Sequence, residues 1–294
     1  MRTVLRTLFF TVVMVFGIAP IDLLAQEQES REWKISGFGL WMQEFPRGRS
    51  SSLKLNHAWL IGEKSLDSNL SIKVIAALQG PPKIAHVLFL KWKKPLEFID
   101  YVRIGRFDAP FGHGLCWYRI DRNPTINYSL IDEPVVLMSN GVEVVGALNN
   151  LEWKVAAFSG DRLLGTVSAA DEGKWDIYFP RVRYAVNNFL SIGVSQRFGP
   201  VSARGVDVVG ELGPLYAEAE SVTSKDTTGY SVLGVCTFSS WLKAVLRYER
   251  FHGKDQWTPG FTIPLPYNAE IKGNAIIGHE KKLETFLVQL VLRW

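Results

Sequence analysis

Leu283-Glu284-Thr285-Phe286-Leu287-Val288-Gln289-Leu290-Val291-Leu292-Arg293-Trp294 closes the chain. Counting back from Trp294, every second residue is apolar: Leu292, Leu290, Val288 and Phe286. Arg293, Gln289 and Thr285 share the other parity, with Val291 and Leu287 between them. Period two is the period of a strand whose two faces meet different surroundings. A hydrophobic strand at a chain end is an aggregation hazard unless its edge is covered. Pairing with the first alternating stretch, Trp33 to Gln43, would cover it and close the sheet on itself.

The same alternation runs back through the chain. Leu70, Ile72, Val74, Ala76 and Leu78 share one parity, and Ser71 and Lys73 the other. Leu242, Ala244, Leu246 and Tyr248 alternate with Lys243, Arg247 and Glu249. Sixteen candidate strands follow, near 33–43, 52–63, 69–79, 86–93, 98–107, 141–148, 151–159, 175–185, 190–198, 203–212, 215–222, 230–238, 242–251, 258–267, 269–278 and 283–294. Tight turns at Asn149-Asn150, Asn187-Asn188, Gly213-Pro214 and Ser239-Ser240 use turn-forming residues. The alternate connections, 44–51, 108–140, 160–174 and 252–257, are longer. A soluble sandwich has no need of that asymmetry. The weakest strand is 258–267, where Pro259, Pro264 and Pro266 each remove a ladder donor. Without it the count becomes fourteen; sixteen is preferred.

Residues 1–25 have the layout of a secretory leader: Arg2 and Arg6, an apolar stretch from Leu8 to Ile18, and Leu23-Leu24-Ala25 before the expected cleavage. No apolar run long enough for a membrane helix follows. The only other architecture that satisfies its backbone in lipid is a closed barrel. The expectation is therefore an all-β, closed antiparallel transmembrane barrel, a single domain over 26–294. All ten Trp residues follow the leader. Trp33, Trp41, Trp59, Trp92, Trp153, Trp175 and Trp241 lie near candidate strand ends, where a barrel places its aromatic girdles. The formal net charge of +4 is too weak to argue for nucleic acid. Cys116 and Cys236 have no spacing that supports a disulfide.

The terminal strand resembles the β-signal of bacterial outer-membrane proteins, carried here by Phe286, Val288, Leu290, Leu292 and Trp294. The family pattern ends on Phe, so Trp294 is a departure. This resemblance implies export through the Sec pathway, the barrel-assembly machinery as partner, and a home among outer-membrane lipid and lipopolysaccharide. A second resemblance lies at Ile104 to Gly112. Gly105, Arg106 and Phe107, then Pro110, Phe111 and Gly112, resemble the phosphate-selective porin O/P family of outer-membrane channels. The likeness is strongest over 98–130. It implies sixteen strands, a passive channel for small hydrophilic solutes, and a homotrimer. It does not imply phosphate as the solute.

Physical reasoning on the loop points the same way. A connection as long as 108–140 is usually functional or disordered, and the other reading of it is an external loop with no transport role. A barrel of this size has a water-filled interior that must be restricted. Folding 108–140 inward would bring Arg119, Asp121, Arg122 and Glu133, with Asp132, to a constriction. The polar parity of the strands would line the pore with Arg103, Arg181, Arg183, Arg197 and Arg247, together with Lys54, Lys73, Lys91, Lys154, Lys243 and Lys272. Acidic residues expected there are Glu143, Glu152, Asp207, Glu211, Glu218, Glu220, Glu249 and Glu270. Acids gathered on the tenth and eleventh strands would face bases on the second to fifth, giving a transverse field. The basic excess predicts a mild preference for anions.

Two alternatives stand. One is a structural or surface-binding barrel with no open pore. The other is a barrel hydrolase, for which His113 beside Asp108 and His252 near Asp255 are the available groups. No nucleophile, zinc, phosphate-loop or dinucleotide motif accompanies those histidines. No cofactor is expected, and no His or Cys pair has metal-ligand spacing.

Overall fold

The structure is a computed structural model that describes residues 32–78, 83–112, 123–126, 129–132, 138–159, 175–225, 227–278 and 282–294. The expected leader, 1–25, lies outside the described residues. Sixteen strands are present among them: β1 Lys34–Pro46, β2 Ser52–Ser65, β3 Leu70–Ala77, β4 Lys83–Leu96, β5 Ile99–Asp108, β6 Met138–Leu148, β7 Leu151–Ser159 and β8 Trp175–Asn187. Then come β9 Leu190–Arg197, β10 Ala203–Leu212, β11 Leu215–Ser224, β12 Thr227–Ser239, β13 Leu242–Phe251, β14 Lys254–Leu265, β15 Ala269–Ile277 and β16 Leu283–Arg293. Each pairs antiparallel with its chain neighbours, and β16 pairs with β1 to close the barrel.

The closing seam uses the last residue. Trp294 and Gly37 exchange backbone hydrogen bonds of 2.9 and 3.1 Å beyond the Phe38–Arg293 pair. The Trp294 ring lies flat on Gly37: a Cβ there would meet its atoms at 2.7 Å. Glycine is what lets a large ring lie on the strand at this point.

Turns at 66–69, 97–98, 149–150, 188–189, 213–214, 240–241 and 266–268 share one end of the barrel with both strand termini. We call this the turn end, and the opposite end the loop end. The connection expected over 252–257 is instead a two-residue turn, His252-Gly253, with both residues at positive φ. Its expected remainder is the start of β14, where Lys254 to Trp257 pair with β13. The prolines did not remove β14. Pro259 stays in continuous register with Leu246 of β13. Pairing with β15 skips Thr258 and Pro259 between Trp257–Ile277 and Gly260–Asn274. The missing donor thus interrupts one side of the ladder only.

On β9, β10 and β12 buried and exposed residues alternate along the strand. Val182, Ile192, Val194, Val206, Val208, Val232 and Leu246 are exposed. Toward the turn end the exposed set becomes aromatic: Trp33, Phe98, Tyr184, Phe189, Trp241 and Trp294. Toward the loop end it includes Phe45, Phe198, Tyr230 and Trp257. An exposed apolar band between two aromatic rings is the surface of a membrane-spanning barrel. Trp59 departs from the girdle expectation. It points inward from the middle of β2, is 3% exposed, and packs on Phe38 at 5.2 Å.

Candidate functional site

The inward face is layered along the barrel axis. Toward the loop end of β1–β5, β7 and β8 it is apolar. Phe38, Leu40, Trp59, Ile75, Val87, Phe89, Phe107, Phe158, Ile177 and Phe179 form one buried cluster across β1–β5, β7 and β8. Its rings meet edge-on or tilted, Phe107 on Phe158 at 5.1 Å and Phe158 on Phe179 at 5.6 Å, as aromatic quadrupoles prefer. A water-filled lumen is the expectation for a barrel of this size; over these strands the wall is packed instead.

Below that cluster lies a ring of buried charge. Arg103 on β5 grips Glu143 on β6 through two contacts, 2.6 and 3.0 Å, and its guanidinium stacks 4.1 Å from the Phe107 ring. Arg181 on β8 reaches Asp207 on β10 through both terminal nitrogens, at 3.0 and 3.1 Å, and also donates to Ser195. Glycine at 193 makes this cross-strand reach feasible, since a Cβ there would collide with the Asp207 carboxylate. Arg247 pairs with Glu249 at 3.0 Å, and Lys272 with Glu270 at 2.9 Å. Arg293 joins Glu270 at 2.9 Å. These charges neutralise one another within one to three strands, so the expected opposed rows are not what the side chains build in this layer.

The turn-end half is polar and more open. Arg183 donates twice to Ser191, at 3.0 and 2.8 Å. Tyr216 donates to Glu218 at 2.8 Å. A cleft of about 430 Å³ opens here between Glu152, Arg183 and Glu211.

The segment after β5 crosses this interior. Its first stretch, Ala109 to Gly112, runs to the opposite wall. Phe111 sits edge-on to Phe179 at 6.4 Å and lies on Gly205 of β10, where a Cβ would meet its ring at 2.7 Å. The Gly112 N–H donates to Ser195 Oγ at 3.0 Å. Gly112 has φ +62, and a Cβ there would strike the Glu220 carboxylate. Glycine is thus required twice over, by conformation and by space.

Its later stretches are held by β13 and β15. Lys272 donates to the Asn123 carbonyl at 2.7 Å. Arg247 donates to Thr125 Oγ1 at 2.6 Å, and the Ile126 N–H to Asn274 Oδ1 at 2.7 Å. Glu249 accepts from the Ser129 hydroxyl and from the Leu130 N–H, the latter at 2.9 Å. Apolar sockets complete the hold. Ile126 packs with Met42 and Leu287, and Ile131 with Ala203, Val222 and Phe251. Residues 109–112, 123–126 and 129–131 therefore lie inside the barrel.

Among the residues expected at the site, Arg103, Arg181, Arg183, Arg197 and Arg247 all take the inward parity, and Arg197 is fully buried over the Phe179 ring. Arg119, Asp121, Arg122 and Glu133 lie outside the described residues, as do His113, Cys116 and His279. Cys236 is a free thiol on the outward parity of β12. In the motif, Gly105, Phe107, Pro110, Phe111 and Gly112 belong to the crossing segment and its root. Arg106 takes the outward parity, opposite Leu88 and Asn140. Phe286, Val288, Leu290 and Leu292 take the outward parity of β16, and Gln289 and Val291 are buried inside. Sequence reasoning missed Ser195 and Asn274. Neutral polar residues on an inward parity gave the only signal, and they are common on such a wall.

No protein-family model matches the chain, and no curated protein matches it. Solved structures do. An in-vitro folded trimer form of OmpT, an outer membrane protein of Vibrio cholerae, superposes with a TM-score of 0.64 at 10% identity, covering 90% of this chain and 99% of that one. Salmonella typhi OmpF, in complex with daunomycin, gives 0.66 at 8% identity over 90% and 98%. A mutant of Rh. blastica porin gives 0.64 at 9% identity over 90% and 100%. At these identities the likeness concerns the closed barrel fold.

Proposed function

We propose that the barrel is a porin-like channel of the bacterial outer membrane that passes small hydrophilic solutes by passive diffusion. The observation that carries this reading is the placement of residues 123–126 and 129–131 inside the barrel, tied to its wall by Lys272, Arg247, Asn274 and Glu249. A wall tie at each described stretch holds the segment where it can narrow an opening. Arg119, Asp121, Arg122 and Glu133 belong to the same connection and would complete the constriction. The resemblance of the Gly105 to Gly112 motif to the phosphate-selective porin O/P family supports the same reading.

A mild anion preference is part of the proposal. Among the described residues, the inward Lys91, Lys93 and Lys243 make no ion pair, and Glu211 and Glu218 are their acidic counterparts. The trimer form of OmpT supports a homotrimer here. Residues 1–25 would direct export through the Sec pathway, and the β16 pattern would be read by the barrel-assembly machinery. Outer-membrane lipid and lipopolysaccharide would meet the exposed band. We assign passage, not catalysis, to this chain.

The packed apolar layer at the loop end favours a second reading, a barrel closed to solutes. Swelling of proteoliposomes in isosmotic sugars separates the two. Swelling that slows with increasing sugar size supports the channel; folded protein that leaves the vesicles as tight as protein-free controls supports the closed barrel.

A further inference from the structure

The wall of β2–β5 holds a small pocket lined by none of the described residues of the crossing segment. It has a volume of about 140 Å³ and is lined by Glu63, Lys73, Phe89, Lys91, Tyr101 and Arg103. All six residues take the inward parity. Two of its three cations are already matched. Lys73 lies 3.8 Å from Glu63, and Arg103 is bound to Glu143 at 2.6 Å. Lys91 makes no ion pair among the described residues. Its ammonium sits 4.1 Å from the centroid of the Tyr101 ring, which holds the charge without neutralising it. Among the described residues, one positive charge therefore faces the pocket without an ion-pair contact of its own, Glu63 being in contact with Lys73.

Beside Lys91 on the same face of β4, Phe89 supplies the apolar part of the lining. It is also a member of the buried cluster of the loop-end half. Phe89 marks the border where the charged wall gives way to the dry one. A ligand seated here meets an ammonium at one end and an aromatic surface at the other. A compact inorganic anion would have to give up hydration against Phe89 with nothing in return. A carboxylate on an apolar body loses nothing by that contact and gains a charge-assisted bond to Lys91.

We propose that this pocket is a solute subsite for small organic monocarboxylates, with the carboxylate at Lys91 and a planar apolar body against Phe89. The volume suits a single ring. The proposal rests on the channel reading above and adds a solute class to it.

The test uses benzoate as probe on the full-length folded barrel in non-ionic detergent, with equilibrium dialysis against protein-free micelles. Inorganic phosphate and benzyl alcohol serve as controls for charge and ring alone. Saturable benzoate binding is expected, weakened about tenfold in Lys91→Met, with both controls binding more weakly than benzoate. Tyr101→Leu, which frees the ammonium but keeps the charge, should weaken binding less than Lys91→Met. Folding of each variant is checked by the mobility shift of unheated samples on gels. Absent saturation, equal binding to Lys91→Met, or phosphate binding as tight as benzoate would overturn the subsite. Single-channel recording in potassium chloride on the same protein separates the two claims. Conductance without benzoate binding overturns the subsite alone, and benzoate binding without conductance overturns the channel alone.

Discussion

Lys272 on β15 donates its ammonium to the carbonyl of Asn123, 149 positions earlier in the chain, at 2.7 Å. The same ammonium contacts Glu270 at 2.9 Å and is 2% exposed. A buried cation with both a carboxylate and a carbonyl on it is well satisfied, and removing it breaks both ties. Lys272→Met should cost about 1.5–3 kcal/mol in urea unfolding from lipid vesicles, the range for a hydrogen bond to a charged group. Glu270 keeps Arg293, which limits the loss. Open-channel noise should rise in the same variant, because the segment at 123–126 loses a fixed point. Unchanged stability together with unchanged noise would show that the tie does not hold the segment.

Arg103 and Glu143 make a second test. Both are buried, and Arg103 is also stacked on Phe107. Removing Arg103 leaves the Glu143 carboxylate buried without that partner. Arg103→Met should therefore destabilise the barrel by about 3–5 kcal/mol. The double variant Arg103→Met with Glu143→Leu should regain most of that loss, because no unpaired charge remains. A double variant as unstable as the single one would place the cost in packing rather than in charge.

The docking of the crossing segment depends on Gly112 and Gly205. Gly112→Val adds a side chain where φ is +62 and where Glu220 already stands. The strain is about 1–3 kcal/mol, enough to lift the segment from Ser195. Hydrogen exchange should quicken in peptides covering 109–112 and leave β13 unchanged. Gly205→Val, which drives a side chain into the Phe111 ring, should give the same pattern. Exchange that stays slow in both variants would count against docking.

Closure at Trp294 predicts an assembly defect. Deleting Arg293 and Trp294 removes the Trp294–Gly37 hydrogen bonds and the Phe38–Arg293 pair. The heat-modifiable, folded form in outer-membrane fractions should fall sharply, whereas Trp294→Phe should keep it. Full assembly of the deleted chain would remove the terminal strand from any role as an assembly signal.

The exposed band and the inward face were readable wherever one parity was polar. On β10, Asp207 between Val206 and Val208 places the inward face without help from tertiary structure, and the pairing with β9 and β11 agrees. Lys243, Arg247 and Glu249 did the same for β13. The reading failed where both parities are apolar. On β1, β7 and β8, Phe38, Leu40, Phe158, Ile177 and Phe179 look no different from lipid-facing residues. Only pairing shows that they point inward. The ion pairs were hidden for another reason. Arg181 meets Asp207 across β9, so their contact depends on two registers at once, and alternation constrains neither. Pro259 weakens the case for β14 in the sequence, but its missing donor affects only the β15 side of the strand. The long connection after β5 was visible from its length, but its wall partners were not. Asn274 and Ser195 become recognisable only once Ile126 and Gly112 are placed against them.

The central claim is a solute path restricted by residues 109–131, and single-channel recording in planar bilayers addresses it most directly. The intact chain should be compared with one in which 109–136 is replaced by a short Gly-Ser linker. The account predicts discrete conductance steps from the intact chain and larger steps from the shortened one. Folded intact protein that gives no steps, or a shortened chain with the same conductance as the intact one, would contradict it.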